Sequence, residues 1–325
     1  MSLLYRKIKN IIRFVAQSFS VIFFYFNLKI DKKKEILILN HISSIVRSKN
    51  LNKKKSNKTK THQEFSQNLY NLIKKKKLEN FLNISFIQNM FFVHNRLYIA
   101  LQLLLIRFDV KWLFYKKLIL ENSIGKPIRF FLYPWSSGNL IRQVYILKTF
   151  QKWSKVNLKK IGLVVEFGGG YGCMANTFFK ISKSIKYIII DLFEVSLLQF
   201  YYMSMNSHKV SFIEDSNKNF FLFNDMYKAN SILKRKKIKN KLLIMNWSFS
   251  EIPLTERKKN EFCFFYYDYI LICFQDKFED INNLQYFKNL QKKLEKKKYK
   301  TLISKNLTMK LSSLVNHYYF FAKKY

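Results

Sequence analysis

Four of the seven glycines in this 325-residue chain fall within residues 168–172. The segment follows a short apolar run at residues 163–167, and the pattern predicts a strand that enters a tight turn and then a helix. Glycine permits positive φ angles and lets a ligand approach the backbone closely. Such a turn at the carboxyl end of the first parallel strand is where doubly wound sheets bind nucleotides, so we expect a nucleotide-like ligand here.

The spacing of the glycines indicates which ligand this is. It reads ExGxGxG, with Glu166, Gly168, Gly170 and Gly172 at the fixed positions. A dinucleotide fingerprint needs glycine or alanine where Cys173 stands, and the Gly-Lys-Ser/Thr ending of a phosphate loop is absent. A carboxylate at Glu166 repels pyrophosphate but favours the cationic sulfonium and ammonium of S-adenosylmethionine. The sequence therefore predicts S-adenosyl-L-methionine as the cofactor.

A second acidic residue supports this prediction. Residues 187–190 form a β-rich run that ends in Asp191. An acid at the end of the second strand can accept hydrogen bonds from both ribose hydroxyls of a bound adenosine. The alternative is that Asp191 caps a helix without a ligand. The predicted cofactor-binding residues are Glu166, Gly168, Gly169, Gly170, Gly172 and Asp191.

The acceptor side of the site is predicted from the fourth strand. That strand, residues 242–245, opens into the sequence Asn-Trp-Ser-Phe-Ser-Glu at residues 246–251. Asn246 and Glu251 are catalytic candidates, and Glu251 could orient or deprotonate a hydroxyl group if burial raised its pKa. The alternative is that Ser248 or Ser250 caps a helix with Glu251 in its first turn.

The five histidines are the other candidate bases. None lies in a motif, and a histidine is more often a satisfied surface or core residue than a catalytic one. His94 is singled out because it falls in a predicted helical cap, from which a base could reach over the pocket. The predicted catalytic candidates are Glu251, Asn246 and His94.

At three segments the sequence resembles the class I S-adenosylmethionine-dependent methyltransferases, and among them the sugar O-methyltransferases of bacterial surface-polysaccharide loci. The segments are residues 166–172, residues 190–194 with a Tyr-Tyr pair at 201–202, and residues 246–253. The likeness covers roughly residues 125–323. It implies a Rossmann-like fold and a sugar or glycan acceptor that is linked to a nucleotide or a lipid.

Alternative functions remain at this point. Phe193 stands where the sugar subgroup would have proline. Amino-methyltransferases carry the motif Asn/Asp-Pro-Pro-Tyr/Phe after the fourth strand. Asn246 and Phe249 match the first and last positions of this motif, but Trp247 and Ser248 stand in place of its two prolines. A non-catalytic binding module of a glycan-synthesis complex is a further alternative because no catalytic base is evident. RNA methylation rests on charge alone, so a nucleic-acid partner is disfavoured.

The predicted fold is α/β, a doubly wound and mainly parallel sheet of seven strands with an N-terminal helical region, because short apolar runs alternate with helical stretches. The candidate strands are residues 163–167, 187–190, 210–213, 242–245, 269–273, 300–303 and 318–322. The predicted organisation is a basic and apolar helical segment at 1–48, a polar linker at 49–63, a helical cap and connector at 64–150, and the S-adenosylmethionine-binding domain at 151–325.

Composition excludes an overall disordered chain, because 49% of the residues are hydrophobic and 18% are aromatic. The net charge of +39 reflects lysines scattered along the chain and an excess of Lys, Asn, Ile, Phe and Tyr. Such a surplus still attracts anions, so an anionic membrane is a candidate partner. The three cysteines form no CxxC pair, and we predict no metal site; Asp276, Glu279 and Asp280 lack a diagnostic spacing.

The apolar run at residues 14–28 bears on location. At ~1.5 Å per residue it spans roughly 22 Å, short of the ~30 Å hydrocarbon core of a bilayer. It fits either an interfacial helix, with nearby basic residues at the headgroups, or a helix packed on the protein. We therefore expect a cytoplasmic protein, with peripheral contact at the inner membrane surface as the alternative.

Overall fold

One mostly parallel sheet of eight strands organises the part of the chain that the computed structural model describes. This part comprises residues 30–48, 60–91, 96–215, 217–235, 238–310 and 315–325, with the isolated positions 8, 15 and 22. The strands, in chain order, are β1 (Arg129–Phe130), β2 (Tyr133–Ser137), β3 (Leu163–Phe167), β4 (Lys186–Ile190), β5 (Val210–Ser211), β6 (Phe220–Phe223), β7 (Lys241–Asn246), β8 (Tyr269–Gln275), β9 (Lys277–Phe278), β10 (Ile281–Asn282), β11 (Tyr299–Lys305) and β12 (His317–Lys324). The pairs β1–β2 and β9–β10 are separate antiparallel ribbons.

Helices precede the sheet and lie between its strands. In chain order they are α1 (Lys32–Ser48), α2 (Lys60–Lys74), α3 (Ser85–Phe91), α4 (Leu97–Arg107), α5 (Trp112–Leu118), α6 (Gly138–Ser154), α7 (Cys173–Ile181), α8 (Phe193–Met205), α9 (Met226–Arg235), α10 (Leu254–Asn260), α11 (Asn283–Glu295) and α12 (Leu307–Lys310). Short 3₁₀ turns include Ser248–Glu251, directly after β7.

The strand order places a switch point beside β3. From edge to edge the order is β11, β12, β8, β7, β3, β4, β6, β5. The six strands from β8 to β5 are parallel, and β12 runs antiparallel to both of its neighbours. From β3 the chain passes to β4, then to the edge strand β5, then back to β6 between β4 and β5, and finally to β7 on the other side of β3. In open α/β sheets the ligand crevice lies at the carboxyl ends of the strands at such a reversal.

The central strand β3 is buried on both faces. Leu163 and Val165 pack into one hydrophobic cluster, and Val164 packs into the other, on the opposite face of the sheet. A parallel strand covered on both sides needs apolar side chains at successive positions, which explains the three consecutive apolar residues at 163–165. The end of β3 is thus packed in the core on both faces of the sheet, and this packing fixes the position of the turn that follows.

The predicted fold class is confirmed, and the number of strands is corrected. The sheet holds eight strands within the described residues, and the unpredicted one is β6, Phe220–Phe223, which pairs directly with β4. The segment predicted as the third strand, residues 210–213, supplies only the two-residue edge strand β5. The four-residue run at β6 is uniformly apolar, so it carries no alternation that would distinguish a buried strand from a piece of helix.

The N-terminal helices pack on the sheet domain through α8. The Tyr201 hydroxyl donates to Glu35 Oε1 at 2.6 Å, and Lys34 Nζ donates to the Met205 carbonyl oxygen at 2.9 Å. Both helices α1 and α2 contact α8, and their buried apolar side chains belong to the same core cluster as one face of the sheet.

Two predicted boundaries differ from the helix ends. Helix α2 begins at Lys60, inside the predicted linker at 49–63, and α6 runs through the predicted boundary at 150. Helix α6 continues to Ser154 because its buried positions extend that far; Ser137 caps its start, and Lys155 ends it in the left-handed conformation. The apolar run at 14–28 lies outside the described residues. Within the described ranges, every helix is too short or too polar to cross a bilayer.

Candidate functional site

The glycine turn after β3 adopts the conformation that its sequence predicts. Gly168, Gly170 and Gly172 have φ angles of +71°, +56° and +99°. The Gly168 N–H donates to the Ile190 carbonyl oxygen at 2.8 Å, which ties the turn to the end of β4. Gly172 caps the start of α7. Because side chains other than glycine rarely adopt positive φ, three left-handed positions in five residues require this composition.

Gly168 also makes a close approach to the loop after β7. A Cβ atom at position 168 would lie 2.2 Å from the Ser248 Cβ atom. The Ser248 hydroxyl donates to the Phe167 carbonyl oxygen, directly before the turn. The loops that follow β3 and β7 are therefore packed against each other with no room for a side chain between them.

Glu166 lies beneath the turn, buried within β3. The Tyr187 hydroxyl donates to its Oε2 atom at 2.7 Å from the neighbouring strand. Burial, aided by the charge of nearby Asp191, raises the pKa of the Glu166 carboxyl to about 8, although the hydrogen bond from Tyr187 lowers it. A buried carboxyl with a raised pKa favours a cationic ligand, because such a ligand stabilises the ionised form.

Asp191 lies on the other side of the turn, directly after β4. Its Oδ1 atom accepts from the Leu192 N–H at 2.8 Å, and its Oδ2 atom accepts from Gln199 Nε2 at 2.9 Å. Burial raises the pKa of Asp191 to about 7, although these bonds and the N–H groups of Gly169 and Gly170 lower it. Asp191 is therefore fixed in orientation by the residues of its own turn and of α8.

Gln199 is a site residue that the sequence analysis missed. It is fully buried on α8, and its Nε2 atom donates both to Asp191 Oδ2 and to the Gly170 carbonyl oxygen at 2.8 Å. One amide thus joins the acid after β4 to the glycine turn after β3. The only signal in the sequence is a polar residue within the apolar stretch at residues 197–203, which is weak evidence by itself.

A cavity of about 590 Å³ joins the glycine turn to the loop after β7. It is lined by Glu166, Gly168, Gly169, Gly170, Asp191, Asn246 and Glu251, so most of the predicted site residues share one space. Of the described residues that line it, five are acidic and two are basic, whereas the whole chain has 20 acidic and 59 basic residues. Acidic side chains therefore outnumber basic ones in this cavity of a strongly basic protein, and their ionised forms favour a cationic ligand.

Asn246 and Glu251 lie on the side of the cavity that the β7 loop forms. Asn246 Nδ2 donates to Gln143 Oε1 at 3.2 Å, while its buried Oδ1 atom has no hydrogen-bond partner among the described residues. Gln275 Nε2 donates to Glu251 Oε1 at 3.3 Å, and burial raises the pKa of Glu251. An unsatisfied buried acceptor is costly, so Asn246 Oδ1 is suited to a ligand that donates a hydrogen bond.

Trp247 shapes this loop where related motifs use proline. Its φ angle is +64°, unusual for a large side chain. The indole Nε1 atom donates to His317 Nδ1 at 3.0 Å, and the Arg142 guanidinium carbon lies 4.9 Å from the ring centroid. Burial and the charge of Arg142 lower the pKa of His317 to about 4, so its imidazole is neutral and can accept this bond. Contacts on several sides hold the strained conformation.

Two other predictions concern groups beyond this cavity. His94 lies outside the described residues, so its predicted role stays a prediction. Within the described ranges, no three His, Cys, Asp or Glu side chains are grouped as metal ligands. Of the acidic residues after β8, Asp276 Oδ2 accepts from Asn316 Nδ2 at 2.9 Å.

Replacing Glu166 with glutamine tests the raised pKa. Between pH 4.5 and about 8 the folded chain keeps a proton on Glu166 that the unfolded chain has lost. This contribution to stability is full below pH 4.5 and is lost as the pH rises through 8. We expect the free energy of unfolding of the wild type to fall more steeply from pH 6 to 8 than that of Glu166→Gln, by at most about 1.4 kcal/mol per pH unit.

Urea unfolding at several pH values measures this difference. Asp191, with a pKa of about 7, contributes a decline of the same sign to both proteins, so only the difference between their slopes reports on Glu166. The exposed Glu295→Gln change is the matched control and should keep the wild-type slope. Equal slopes for wild type and Glu166→Gln would refute the buried, protonated carboxyl.

No protein-family model and no curated protein sequence matches the chain. Solved structures give distant matches. The methyltransferase domain of bacterial Hen1 is 11% identical, covers 56% of this chain and 96% of its own, and gives a TM-score of 0.39. An O-methyltransferase family protein from Burkholderia thailandensis is 8% identical over 57% and 60% of the two chains, with a TM-score of 0.34. The structure of a mutant of MtNAS is 12% identical over 92% and 99%, with a TM-score of 0.37.

These identities and scores are too low to carry an argument about activity. The fold class rests on the chain's own strand order and on the glycine turn at its switch point.

Proposed function

We propose that this chain is an S-adenosylmethionine-dependent methyltransferase. The observation that carries the proposal is the acidic cavity at the switch point of a chain with a net charge of +39. S-adenosylmethionine has a sulfonium and an ammonium group and no phosphate, so its charge complements carboxylates that would repel a dinucleotide. The glycine turn supplies the close backbone approach that such a ligand needs.

The described residues fit this cofactor in distinct roles. Bound S-adenosylmethionine would supply a methyl group that is already activated on its sulfonium. Asp191, oriented by Gln199, would accept hydrogen bonds from the ribose hydroxyls. Glu166 would stabilise the cationic end of the ligand from beneath the turn. Each of these carboxyls has a raised pKa in the ligand-free protein, so cation binding should favour loss of its proton.

We further propose that the acceptor is a sugar hydroxyl, in the biosynthesis of a surface polysaccharide or another glycan. The β7 loop presents an unpartnered amide oxygen at Asn246 and a buried carboxyl at Glu251. Together they could bind and orient a hydroxyl group. Glu251 would accept the proton of the hydroxyl group, and its raised pKa brings its basicity nearer to neutral pH. The bound cofactor would supply the methyl group for the new oxygen–carbon bond, with its sulfur leaving as the thioether of S-adenosylhomocysteine. A nucleotide- or lipid-linked sugar is the corresponding acceptor class.

Replacing Glu251 with glutamine tests this role. The amide keeps the shape but cannot accept a proton, so we expect kcat to fall about 100-fold, the usual contribution of a general base. The Kd for S-adenosylhomocysteine should change less than about 2-fold, because Glu251 is assigned to the acceptor. Transfer of labelled methyl from S-adenosylmethionine to a panel of sugars and oligosaccharides measures the rate, and calorimetric titration measures the affinity.

The exposed Glu279→Gln change is the control and should leave both quantities unchanged. An unchanged kcat in Glu251→Gln would remove Glu251 as the base. Cofactor binding without transfer to any glycan would favour the non-catalytic module, and transfer to an amine or to RNA would favour the amino- or RNA-methyltransferase alternative. A folded wild type that binds no S-adenosylhomocysteine would overturn the methyltransferase proposal as a whole.

A further inference from the structure

Nine of the eleven residues of helix α4 are apolar, and they lie on its outer face as well as its inner face. Its inner face, which includes Ile99, Leu103 and Ile106, is buried against α6 and α12. Gln102 also points inward and donates to Thr308 Oγ1 at 2.8 Å. A helix that is hydrophobic on every side is usually buried in a protein core or in a membrane. The outer face of α4 therefore requires an explanation that the packing of the described residues does not supply.

The outer face of α4 continues into the turn and helix that follow. Leu97 is 73% exposed, Phe108 at the end of α4 is 83% exposed, Val110 in the turn is 100% exposed, and Leu113 on α5 is 74% exposed. Leu104 and Leu105 are exposed between them. Soluble chains rarely leave so many neighbouring large apolar side chains in water, and such patches mark interaction sites. We call this surface, residues 97–113, the α4–α5 face.

Basic side chains surround this face. Arg107, Lys111, Lys116 and Lys117 are exposed on the same helical hairpin. The hairpin has one carboxylate, Asp109, and Lys148 Nζ lies 3.1 Å from its Oδ2 atom. The α4–α5 face is thus bordered by cationic side chains, and helices α4 and α5 and the turn between them carry no other carboxylate to offset these charges.

We propose that the α4–α5 face docks on an anionic membrane surface. Phe108, Val110 and Leu113 would enter the boundary between headgroups and acyl chains, and the flanking lysine and arginine side chains would reach the headgroups. Anionic headgroups complement the charge of the face and of the chain as a whole. This proposal stands on the α4–α5 face alone and does not depend on the proposed methyl transfer.

Charge disfavours a second copy of the chain as the occupant. In a two-fold dimer the same face meets itself, so two sets of four basic side chains would come together around the apolar contact. Like charges brought close at an interface oppose association. A lipid surface with negative headgroups removes this repulsion, so charge complementarity selects it.

Vesicle binding of the full-length chain tests the proposal. Vesicles of phosphatidylcholine with one quarter phosphatidylglycerol should bind at least about 10-fold more tightly than pure phosphatidylcholine. The double change Phe108→Ser with Val110→Ser should weaken binding about 10-fold or more, because two apolar side chains no longer enter the bilayer. The triple change Lys111→Gln, Lys116→Gln and Lys117→Gln should weaken it roughly 100-fold, at about 5-fold for each lysine.

Matched controls distinguish vesicle binding through this face from a general effect of charge or hydrophobicity on vesicle binding. The triple change Lys292→Gln, Lys296→Gln and Lys297→Gln removes the same charge from exposed positions at α11, and Leu37→Ser with Ile213→Ser removes two exposed apolar side chains elsewhere. Both controls should bind vesicles nearly as the wild type does. If the α4–α5 variants bind as tightly as the wild type, another part of the chain docks and the proposal is overturned.

A fluorescent label reports on the face directly. The three native cysteines are buried, so an environment-sensitive dye can be attached selectively at Val110→Cys. Its emission should shift to the blue with anionic vesicles, whereas a dye at Ile213→Cys should not respond. A dye at position 110 that is already in an apolar environment without lipid would overturn the proposal, because protein would then cover the face. Sedimentation velocity identifies a dimer that Phe108→Ser with Val110→Ser dissociates, which would assign the face to a second copy.

Discussion

Replacing Asp191 with alanine is expected to weaken binding of S-adenosylhomocysteine by about 100-fold. The carboxylate is held by Leu192 and Gln199 with capacity left to accept from two ribose hydroxyls. A hydrogen bond to a charged group contributes roughly 1.5–3 kcal/mol, so the loss of two such bonds corresponds to a factor of about 100 or more. Calorimetric titration of wild type and variant with S-adenosylhomocysteine measures the ratio of the two Kd values.

Two further variants make this result specific. Asp191→Asn keeps an acceptor oxygen of the same shape, so we expect a loss smaller than that of the alanine variant. Asp215→Ala removes a carboxylate that does not line the cavity and should bind as the wild type does. If Asp191→Ala binds with the wild-type Kd, the ribose assignment is wrong even though the chain binds the cofactor.

Replacing Gly168 with alanine is expected to lower the free energy of unfolding by about 3 kcal/mol and to abolish ligand binding. The new Cβ atom would lie 2.2 Å from the Ser248 Cβ atom and 2.6 Å from its Oγ atom. Overpacking of this kind costs typically 1–3 kcal/mol, and the left-handed conformation adds roughly 1–2 kcal/mol for a residue with a side chain. Urea unfolding followed by far-ultraviolet circular dichroism gives the stability difference.

Gly170→Ala is the matched control for backbone strain. Its φ is +56°, against +71° at Gly168, but the nearest atom to a new Cβ would be Phe91 Cδ1 at 3.3 Å. We expect this change to cost only about 1–2 kcal/mol. Ser248→Gly should recover part of the loss in Gly168→Ala, with a coupling energy of at least about 1 kcal/mol in the double-mutant cycle. Equal costs at the two glycines, with no coupling to Ser248, would show that the close approach has no energetic effect.

The parts of the site that the sequence predicted are local in the chain. Residues 163–172 contain a complete strand, turn and helix start, and only glycine suits the three left-handed positions. The position of Asp191 was predictable for a similar reason, because it directly follows a run with three consecutive isoleucines, a β-branched residue that favours a strand. Local patterns of this kind carry their own physical cause, and tertiary packing had little freedom to change them.

The remaining features depend on residues that meet only in the folded chain. The contact of Gly168 with Ser248, and the Trp247 indole bond to His317, each join segments about 70 residues or more apart. Neither residue pair has a spacing that a local motif could reveal. Gln199 follows Asp191 closely, yet its role depends on the path of the glycine turn. Sequence patterns predict single loops better than they predict which loops contact each other.

The hydrogen bond between Tyr201 and Glu35 has a consequence for how the chain folds. Helix α8 carries Gln199, which orients Asp191, and two residues later it carries Tyr201, which binds α1. The amino-terminal helices and the glycine turn are therefore both attached to α8. A ligand that binds only the native turn stabilises the folded state against unfolding. We therefore expect the helical region and the sheet to unfold together in one transition, because they share one core cluster.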